Sequence, residues 1–263
     1  MQIINILTQY YPSFFKALGI TMQMTVISLL CATVLGVIFG LFKVSDFKAL
    51  KVIANFYIDI IRGTPLLVQV YIMYYGVGSM LRPLGFQWNL YGGAFTAGCV
   101  TLSLNAGAYM AETVRGGILS IDPGQTEGAK AIGMNHVQTM TNVILPQALR
   151  NIMPQIGNNL IINIKDTCVL STIGIVELFY TTKGIAGALY TYFEAFAIAM
   201  VIYFVLTFAC SRILRFWENK MDGPDNFDLA TKDTLAHTSG MYSYNEKKAA
   251  SAGNLNMDSR EGR

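Results

Sequence analysis

Charge is scarce in this chain and long uncharged stretches are common. Only 13% of the 263 residues are charged and 53% are hydrophobic, whereas a soluble domain usually carries about 25% charged residues. No charged residue occurs at 17–42, 63–81, 88–111 or 195–211. A membrane-spanning helix needs roughly 17 to 25 mostly apolar residues. Each of the four windows is therefore predicted to cross a membrane, and a soluble globular class is excluded.

A fifth apolar stretch, residues 151–178, contains only three charged residues, Lys165, Asp166 and Glu177. With it, the sequence predicts an all-α membrane protein whose five transmembrane helices lie within residues 17–220. The adjacent Lys165 and Asp166 would be costly if they faced lipid, so they are expected to face the helix bundle. There they either form a self-neutralising structural pair or belong to a polar wall around a solute path. The asparagines of the same stretch favour the solute path.

Cysteine patterns and nucleotide-binding loops are also missing. The four cysteines all fall inside predicted spans, at spacings that match neither a disulfide framework nor a metal site. We expect them to act as small apolar residues. The chain has no G-x-x-x-x-G-K-S/T loop, so it is not expected to cradle the phosphates of ATP itself. We therefore predict no cofactor, no metal and no nucleic-acid partner for this chain.

Lysine and arginine are unevenly divided between the two sides of the predicted spans. One side carries Lys43, Lys48, Lys51, Arg115, Lys130, Arg150, Arg212, Arg215 and Lys220. The other side has only Lys16, Arg82 and Lys183. Because cytoplasmic loops carry the excess of positive charge, residues 1–16 are predicted to be an external segment and the C-terminus to be cytoplasmic. The polar tail at 221–263 has too little apolar content to fold alone and is expected to be disordered.

Polar residues and a proline interrupt the second and third spans. Pro65 removes a backbone donor and is expected to kink the second span. Because freed backbone groups in lipid need partners, a break there indicates either a bundle-facing hinge or a substrate path. Arg62, near the cytoplasmic end, is expected to snorkel to the membrane edge. Asn105 and Glu112 lie seven residues apart and therefore share one helix face. Glu112 either faces the bundle or an aqueous cavity, as intramembrane carboxylates do, or simply pairs with Arg115 at the cytoplasmic edge.

The connection between the third and fourth spans has a different composition from its surroundings. Its core, EGAKAIGMNHVQTMTNVILPQALR, covers residues 127–150 and is polar and amphipathic. We expect one short helix from Glu127 to Asn142, which cannot cross a membrane and must lie on it or contact another protein. Gly133 would cost about 1 kcal/mol relative to alanine inside a helix. The backbone is therefore expected to bend or to approach another group closely at that position.

Six positions of this connection resemble the EAA signature of ATP-binding-cassette (ABC) importer permeases: Glu127, Gly128, Ala129, Gly133, Leu145 and Pro146. The signature has the form E-A-A, three residues, G, nine residues, I, one residue, L-P, so Gly128 and Val143 are conservative departures. Further stretches resemble the polar amino-acid uptake branch of that family: RGTPLLVQ at 62–69, LNAGAYMAETVRGGI at 104–118, LPQALRNIMPQIGNNLI at 145–161 and KDTCVLSTIGIVEL at 165–178. The resemblance covers residues 15–220.

The resemblance implies a type I ABC importer permease fold in a bacterial cell membrane. Residues 122–150 would form the cytoplasmic coupling region, with the six signature positions docking on an ATPase subunit that binds ATP and magnesium. The translocation path would lie between this chain and a second permease subunit, identical or related. An external amino-acid-binding protein would deliver the solute, which by this resemblance is a polar L-amino acid.

A zwitterionic amino acid needs a cation or a helix N-terminus for its carboxylate and an acceptor for its ammonium group. The available groups are Lys165, Asp166, Glu112, Asn105 and Gln69, with Lys165 the first candidate. Two alternatives remain. An ion-coupled secondary amino-acid transporter is disfavoured because five spans cannot hold two equal inverted repeats and a docking helix would have no use. A structural or signalling subunit would use the Lys–Asp pair only to lock the bundle.

Overall fold

The computed structural model describes residues 2–222, with side chains as far as Trp217, and this part of the chain contains helices and no strand. Residues Met1–Glu218 form one compact unit. The all-helical class expected from the sequence is confirmed. The tail expected to be disordered lies, beyond Asp222, outside the described residues.

Ten α-helices follow one another along the described chain. They are α1 (Gln2–Val44), α2 (Lys48–Gly63), α3 (Leu66–Tyr71), α4 (Gly78–Leu81), α5 (Gly93–Leu119), α6 (Pro123–Ala131), α7 (His136–Thr139), α8 (Leu145–Asp166), α9 (Leu178–Leu189) and α10 (Tyr192–Asp222). Turns of π-helix connect α3 to α4 and α7 to α8 at Ile72–Val77 and Met140–Ile144. Turns of 3₁₀-helix lie at Arg82–Leu84, Trp88–Tyr91 and Thr167–Ile173.

Between two and four membrane spans follow from the length and composition of the described helices. Gln2–Val44 and Tyr192–Trp217 are each long and apolar enough alone. Two bent pairs raise the number to four: Lys48–Gly63 with Leu66–Leu84, and His136–Ile173 with Leu178–Leu189. Helix α5, predicted to be the third span, is not among them, because it carries many small and polar side chains. The predicted count of five is therefore not confirmed.

Helix α5 is the centre of the bundle and packs against α1, α2, α3 and α8. Its contact with α1 depends on glycine. A Cβ at Gly36 would overlap the side chain of Met110, and one at Gly40 would lie 2.7 Å from Val114 Cβ. The four-residue spacing places both glycines on one face of α1, which lets the two helix backbones approach closely.

Two apolar clusters hold α5 at its two ends. The first joins Cys99 and Leu102 of α5 to Met24, Val70 and Leu170. The second contains Met110, Val114, Ile118, Ile144, Ala148 and Ile152. Since Ile144 belongs to the connection between α7 and α8, the second cluster fixes that connection to the transmembrane bundle. Close packing of this kind transmits displacement rather than absorbing it.

The chain breaks between α2 and α3, where the sequence predicts a kink inside a single span. Thr64 and Pro65 are both extended, and the helices on either side meet at an angle of 108°. The ring of a proline disfavours the helical region for the residue before it, which forces Thr64 out of the helix. The prediction of a kink therefore underestimated the bend.

Candidate functional site

A cavity of about 670 Å³ opens between the α2–α3 break, α5 and α8. Its polar lining includes Arg62, Asn105, Glu112, Asn159, Asn163 and Asp166. It lies among the helices of the candidate spans, and it is large enough for a small organic solute. A polar recess of this size among candidate membrane spans is typical of a solute path.

Helices α5 and α8 run antiparallel along this cavity. Asn159 Nδ2 lies 3.7 Å from Met110 Sδ, and Ile152 packs against Gly117. By the same register, Asp166 lies at the level of Asn105 and Gln155 lies near Glu112. Gln155 and Asp166 are eleven residues apart, which corresponds to about 16 Å of helix. The polar lining therefore forms a stripe that runs along the bundle.

Glu112 lies where three helices meet at one end of the cavity. Its carboxylate pairs with Lys43 of α1, with Arg115 of its own helix at 2.9 Å, and with Arg62 of α2 at 3.5 Å. Both expectations for Glu112 therefore describe the structure, because it pairs with Arg115 and also lines the cavity. Three cations converge on one carboxylate, which leaves an excess of positive charge at this end.

Arg62 is the least engaged of the three cations. Its guanidinium lies 5.3 Å above the ring of Tyr109, a cation–π arrangement. Its 3.5 Å distance to the Glu112 carboxylate is the longest of the three pairs. An arginine has five N–H donors, so Arg62 retains donors for an anionic group in the cavity.

Asn105, Glu112 and Asp166, three of the five residues predicted for the solute path, line the cavity together. Gln69 does not line the cavity but contacts a residue that does. Its Oε1 accepts a hydrogen bond from Asn105 Nδ2 at 2.9 Å. Lys165 is exposed and does not line the cavity. The cation on the cavity wall is Arg62, which the sequence reasoning assigned to snorkelling.

The connection after α5 forms two short helices where one was expected from Glu127 to Asn142. Helix α6 begins at Pro123, and Asp122 caps it by accepting a hydrogen bond from Gly124 N at 2.6 Å. It ends at Ala131, and Gly133 then adopts the left-handed region with φ of 85°. A reciprocal pair between Asn135 and Gln138 starts α7.

Gly133 therefore ends a helix and is not part of a helix interior. Left-handed residues after a helix are commonly glycine, because a Cβ would clash there with the backbone. Of the two expectations for Gly133, the described structure shows the bend: the backbone turns there, and no atom lies within 4 Å of the position that its Cβ would occupy. The requirement for glycine here is conformational.

The connection presents one exposed apolar surface and one buried face. Ala129, Thr139 and Ile144 are buried against the protein. Ile132 and Val137 are 75% and 67% exposed on either side of the Gly133 turn. Of the remaining signature positions, Glu127, Gly128 and Pro146 are exposed and Leu145 is half-buried. We call Ile132 and Val137 the exposed apolar pair.

Comparison with protein families identifies the chain. The sequence pattern of one family, described as the binding-protein-dependent transport system inner membrane component, matches residues 32–222. The chain belongs to this family. Members are membrane components of transport systems, so the expectation of a transport subunit that is not itself an enzyme is confirmed. The family description also names an inner membrane and a binding protein, in agreement with the membrane location and with one expected partner.

Relatives of this inner membrane component carry amino-acid transport names. The arginine transport system permease protein ArtQ of Bacillus subtilis is 37% identical over 214 residues, which cover 81% of this chain and 94% of ArtQ. The putative glutamine transport system permease protein GlnP of Rickettsia conorii is 34% identical over 82% of this chain and 97% of GlnP. The octopine transport system permease protein OccM of Rhizobium radiobacter is 36% identical over 81% of this chain and 87% of OccM.

Solved structures of ABC transporters superpose on this chain. An amino acid ABC transporter crystallised with histidines superposes with a TM-score of 0.73 at 39% identity, over 81% of this chain and 95% of the other. The MetNI methionine ABC transporter has the same fold, with a TM-score of 0.60 at 20% identity over 77% of this chain and 94% of the other. The resemblance to ABC importer permeases that the motifs indicate is confirmed.

One buried residue of the permease was not anticipated as important. Glu177 was counted only as a charge inside a span, but its side chain is completely buried at the start of α9. Its carboxylate accepts hydrogen bonds from Phe179 N at 2.8 Å, Tyr180 N at 2.6 Å and Tyr203 Oη at 3.1 Å. The nearby Gly174, left-handed with φ of 84°, was the available signal that a helix ends and another begins here.

Proposed function

We propose that this chain is the permease subunit of an ABC importer for polar L-amino acids. The observation that carries the proposal is the cavity lined by Arg62, Asp166 and several amides. Such a lining suits a zwitterionic solute with a polar side chain, because charged groups of both signs and neutral hydrogen-bonding groups are available. The amino-acid names of the relatives support the same solute class.

Arg62 is the proposed partner of the solute carboxylate, and Asp166 is the proposed partner of its ammonium group. Glu112 is already engaged by Lys43 and Arg115, so its proposed role is to hold Arg62 at the cavity wall. Asn105 supplies an amide on the wall. Lys165, the first candidate from the sequence, lies off the cavity wall and is a weaker candidate for the carboxylate.

The proposed topology has five spans, with α5 as the third. Helix α5 contains 27 residues, about 40 Å at 1.5 Å per residue, which exceeds the 30 Å hydrocarbon core of a bilayer. Helices surround it, so its side chains need not be apolar toward lipid. Lys43 and Arg115, assigned to the cytoplasmic side by charge, both contact Glu112. This agrees with an external N-terminus and a cytoplasmic C-terminus.

The connection at 122–150 is the proposed site of coupling to a cytoplasmic ATPase. Glu127, Gly128 and the exposed apolar pair form its accessible face, and Leu145 and Pro146 lead from it into α8. Because Ile144 and Ala148 are packed on α5, movement of this face would be passed to the cavity walls. ATP and magnesium are bound by the ATPase, and the further proposed partners are an external amino-acid-binding protein and a second permease subunit.

Reconstitution tests the proposal. The chain is purified in mild detergent with its co-purifying proteins, reconstituted into liposomes and supplied with radiolabelled L-arginine or L-glutamine, with ATP on the cytoplasmic side. We expect uptake that requires ATP and that falls at least tenfold in Arg62→Gln and Asp166→Asn. Thr172→Val, an exposed position outside the cavity lining, is the control and is expected to transport normally.

Two results would contradict the proposal. Uptake without ATP that collapses when an ionophore dissipates ion gradients would establish the ion-coupled secondary transporter. A chain that purifies without an ATPase and transports neither amino acid would leave a structural or signalling membrane subunit.

A further inference from the structure

The break between α2 and α3 leaves helix-end carbonyl groups that need hydrogen-bond donors. The last four carbonyl oxygens of a helix have no partner inside it, and within a membrane they must be satisfied by other protein groups or by water in a cavity. Thr64 Oγ1 donates a hydrogen bond to Ile60 O at 2.8 Å. Gln69 Nε2 donates to Ile61 O at 2.7 Å. The second of these bonds comes from beyond the break, from helix α3.

The Gln69 amide makes further contacts at the break. Its Nε2 lies 2.9 Å from Thr64 Oγ1 and 3.1 Å from Thr64 O. One amide group therefore faces three oxygens on the α2 side of the bend. The pattern holds the end of α2 against the first turns of α3 and so fixes the angle between the two helices.

The other end of the same amide reaches the cavity wall. Gln69 Oε1 accepts a hydrogen bond from Asn105 Nδ2 at 2.9 Å, and Asn105 is a largely buried residue that lines the cavity. An amide side chain has donors on one atom and an acceptor on the other. Glutamine can therefore donate to the oxygens at the break and accept from Asn105 at once, whereas glutamate lacks the donors and methionine offers only a weak sulfur acceptor.

We propose that Gln69 is a positioning residue that links occupancy of the cavity to the angle between α2 and α3. A solute that hydrogen-bonds to Asn105 alters the bond between Asn105 and Gln69. Through Gln69 Nε2, that change reaches the carbonyl groups of Ile61 and Thr64. The inference rests on the proposed function only in that the cavity holds a solute; the fixing of the break by Gln69 stands without it.

Hydrogen–deuterium exchange with mass spectrometry tests both parts on the full chain in nanodiscs with its co-purifying partners. The readout is the exchange rate of peptides covering 60–75, because amide exchange reports local opening. Gln69→Met is expected to exchange faster there than the wild type without any solute. Gln155→Met removes another amide from the cavity lining without touching the break, and is expected to match the wild type. Gln69→Glu, which keeps the side-chain size, is the second variant should Gln69→Met fail to fold.

The link to the cavity is tested by adding L-arginine or L-glutamine, whichever the reconstituted wild type takes up. The wild type is expected to change its exchange at 60–75 on addition. Asn105→Leu deletes the bond to Gln69, so it is expected to shift exchange at 60–75 already without solute and to show no further response when solute is added. Unchanged exchange in folded Gln69→Met and Gln69→Glu, or a full response in Asn105→Leu, would overturn the inference. Absence of uptake in the wild type would count against the proposed function, while the first comparison would still decide whether Gln69 holds the break.

Discussion

Glu177 is a completely buried carboxylate, yet the groups that bind it are two backbone N–H groups at the start of α9 and the hydroxyl of Tyr203. It thereby satisfies helix-end donors that water cannot reach and ties α9 to α10. A carboxylate at a helix N-terminus is also favoured by the helix dipole.

Replacing Glu177 should destabilise the protein in proportion to the acceptors lost. Glu177→Leu leaves two buried N–H groups and a hydroxyl without an acceptor, and loss of a cap alone costs about 0.5–2 kcal/mol. Glu177→Gln keeps one carbonyl acceptor and should recover part of the stability. Thermal unfolding in detergent, followed by a thiol-reactive dye, measures the order, which we expect to be wild type, Gln, then Leu. Equal melting temperatures for Gln and Leu would contradict the capping role.

Gly133 should tolerate substitution much less well than its neighbour Gly128. Alanine in the left-handed region costs roughly 1–2 kcal/mol, so Gly133→Ala should distort the connection and reduce ATP-driven uptake, while Gly133→Asn should be milder. Gly128 lies inside α6 with no atom within 4 Å of its Cβ position. Gly128→Ala is therefore the matched control and should transport at least as well as the wild type. Equal uptake by Gly133→Ala and Gly128→Ala would show that the turn is not required.

At the scale of elements, the sequence predicted what periodicity and charge encode and missed what tertiary contacts decide. The uncharged windows and the amphipathic connection are local patterns, and both are found as helices. The bend at Pro65 was underestimated, because a kink and a 108° break look alike in sequence. The position of Arg62 on the cavity wall depends on the packing of α2 against α5, a long-range contact that the sequence of α2 alone does not specify.

The exposed apolar pair should be needed for association with the ATPase and not for folding. Ile132→Asp with Val137→Asp places charge on a surface that is 75% and 67% exposed, so the bundle should be unaffected. Phe216→Asp, at a side chain that is 67% exposed near the end of α10, is the matched control. Affinity purification in mild detergent should recover the ATPase with the control and lose it with the double variant. Retention of the ATPase by the double variant would exclude this surface as the docking site.

At the scale of the whole molecule, the side of the membrane on which each connection lies decides whether α5 is a span. With five spans, successive connections lie alternately inside and outside. If α5 does not cross the membrane, the connections before and after α5 lie on the same side. Leu84 and Tyr190 are strongly exposed in connections predicted to be external, and Phe47 and Ile132 are strongly exposed in connections predicted to be cytoplasmic. These four positions sample both sides of every proposed span between the first and the last.

Single cysteines at these positions, in a chain whose four native cysteines are replaced, give a direct measurement. A membrane-impermeant maleimide added to intact spheroplasts should label Leu84→Cys and Tyr190→Cys but not Phe47→Cys or Ile132→Cys. All four should react after lysis and a urea wash that removes any subunit docked on Ile132. Labelling of Leu84→Cys and Ile132→Cys from the same side would mean that α5 does not cross the membrane. In that case Arg115, at the far end of α5, would no longer lie across the bilayer from Leu84. The assignment of the positive charges around Glu112 to the cytoplasmic side would then have to be revised.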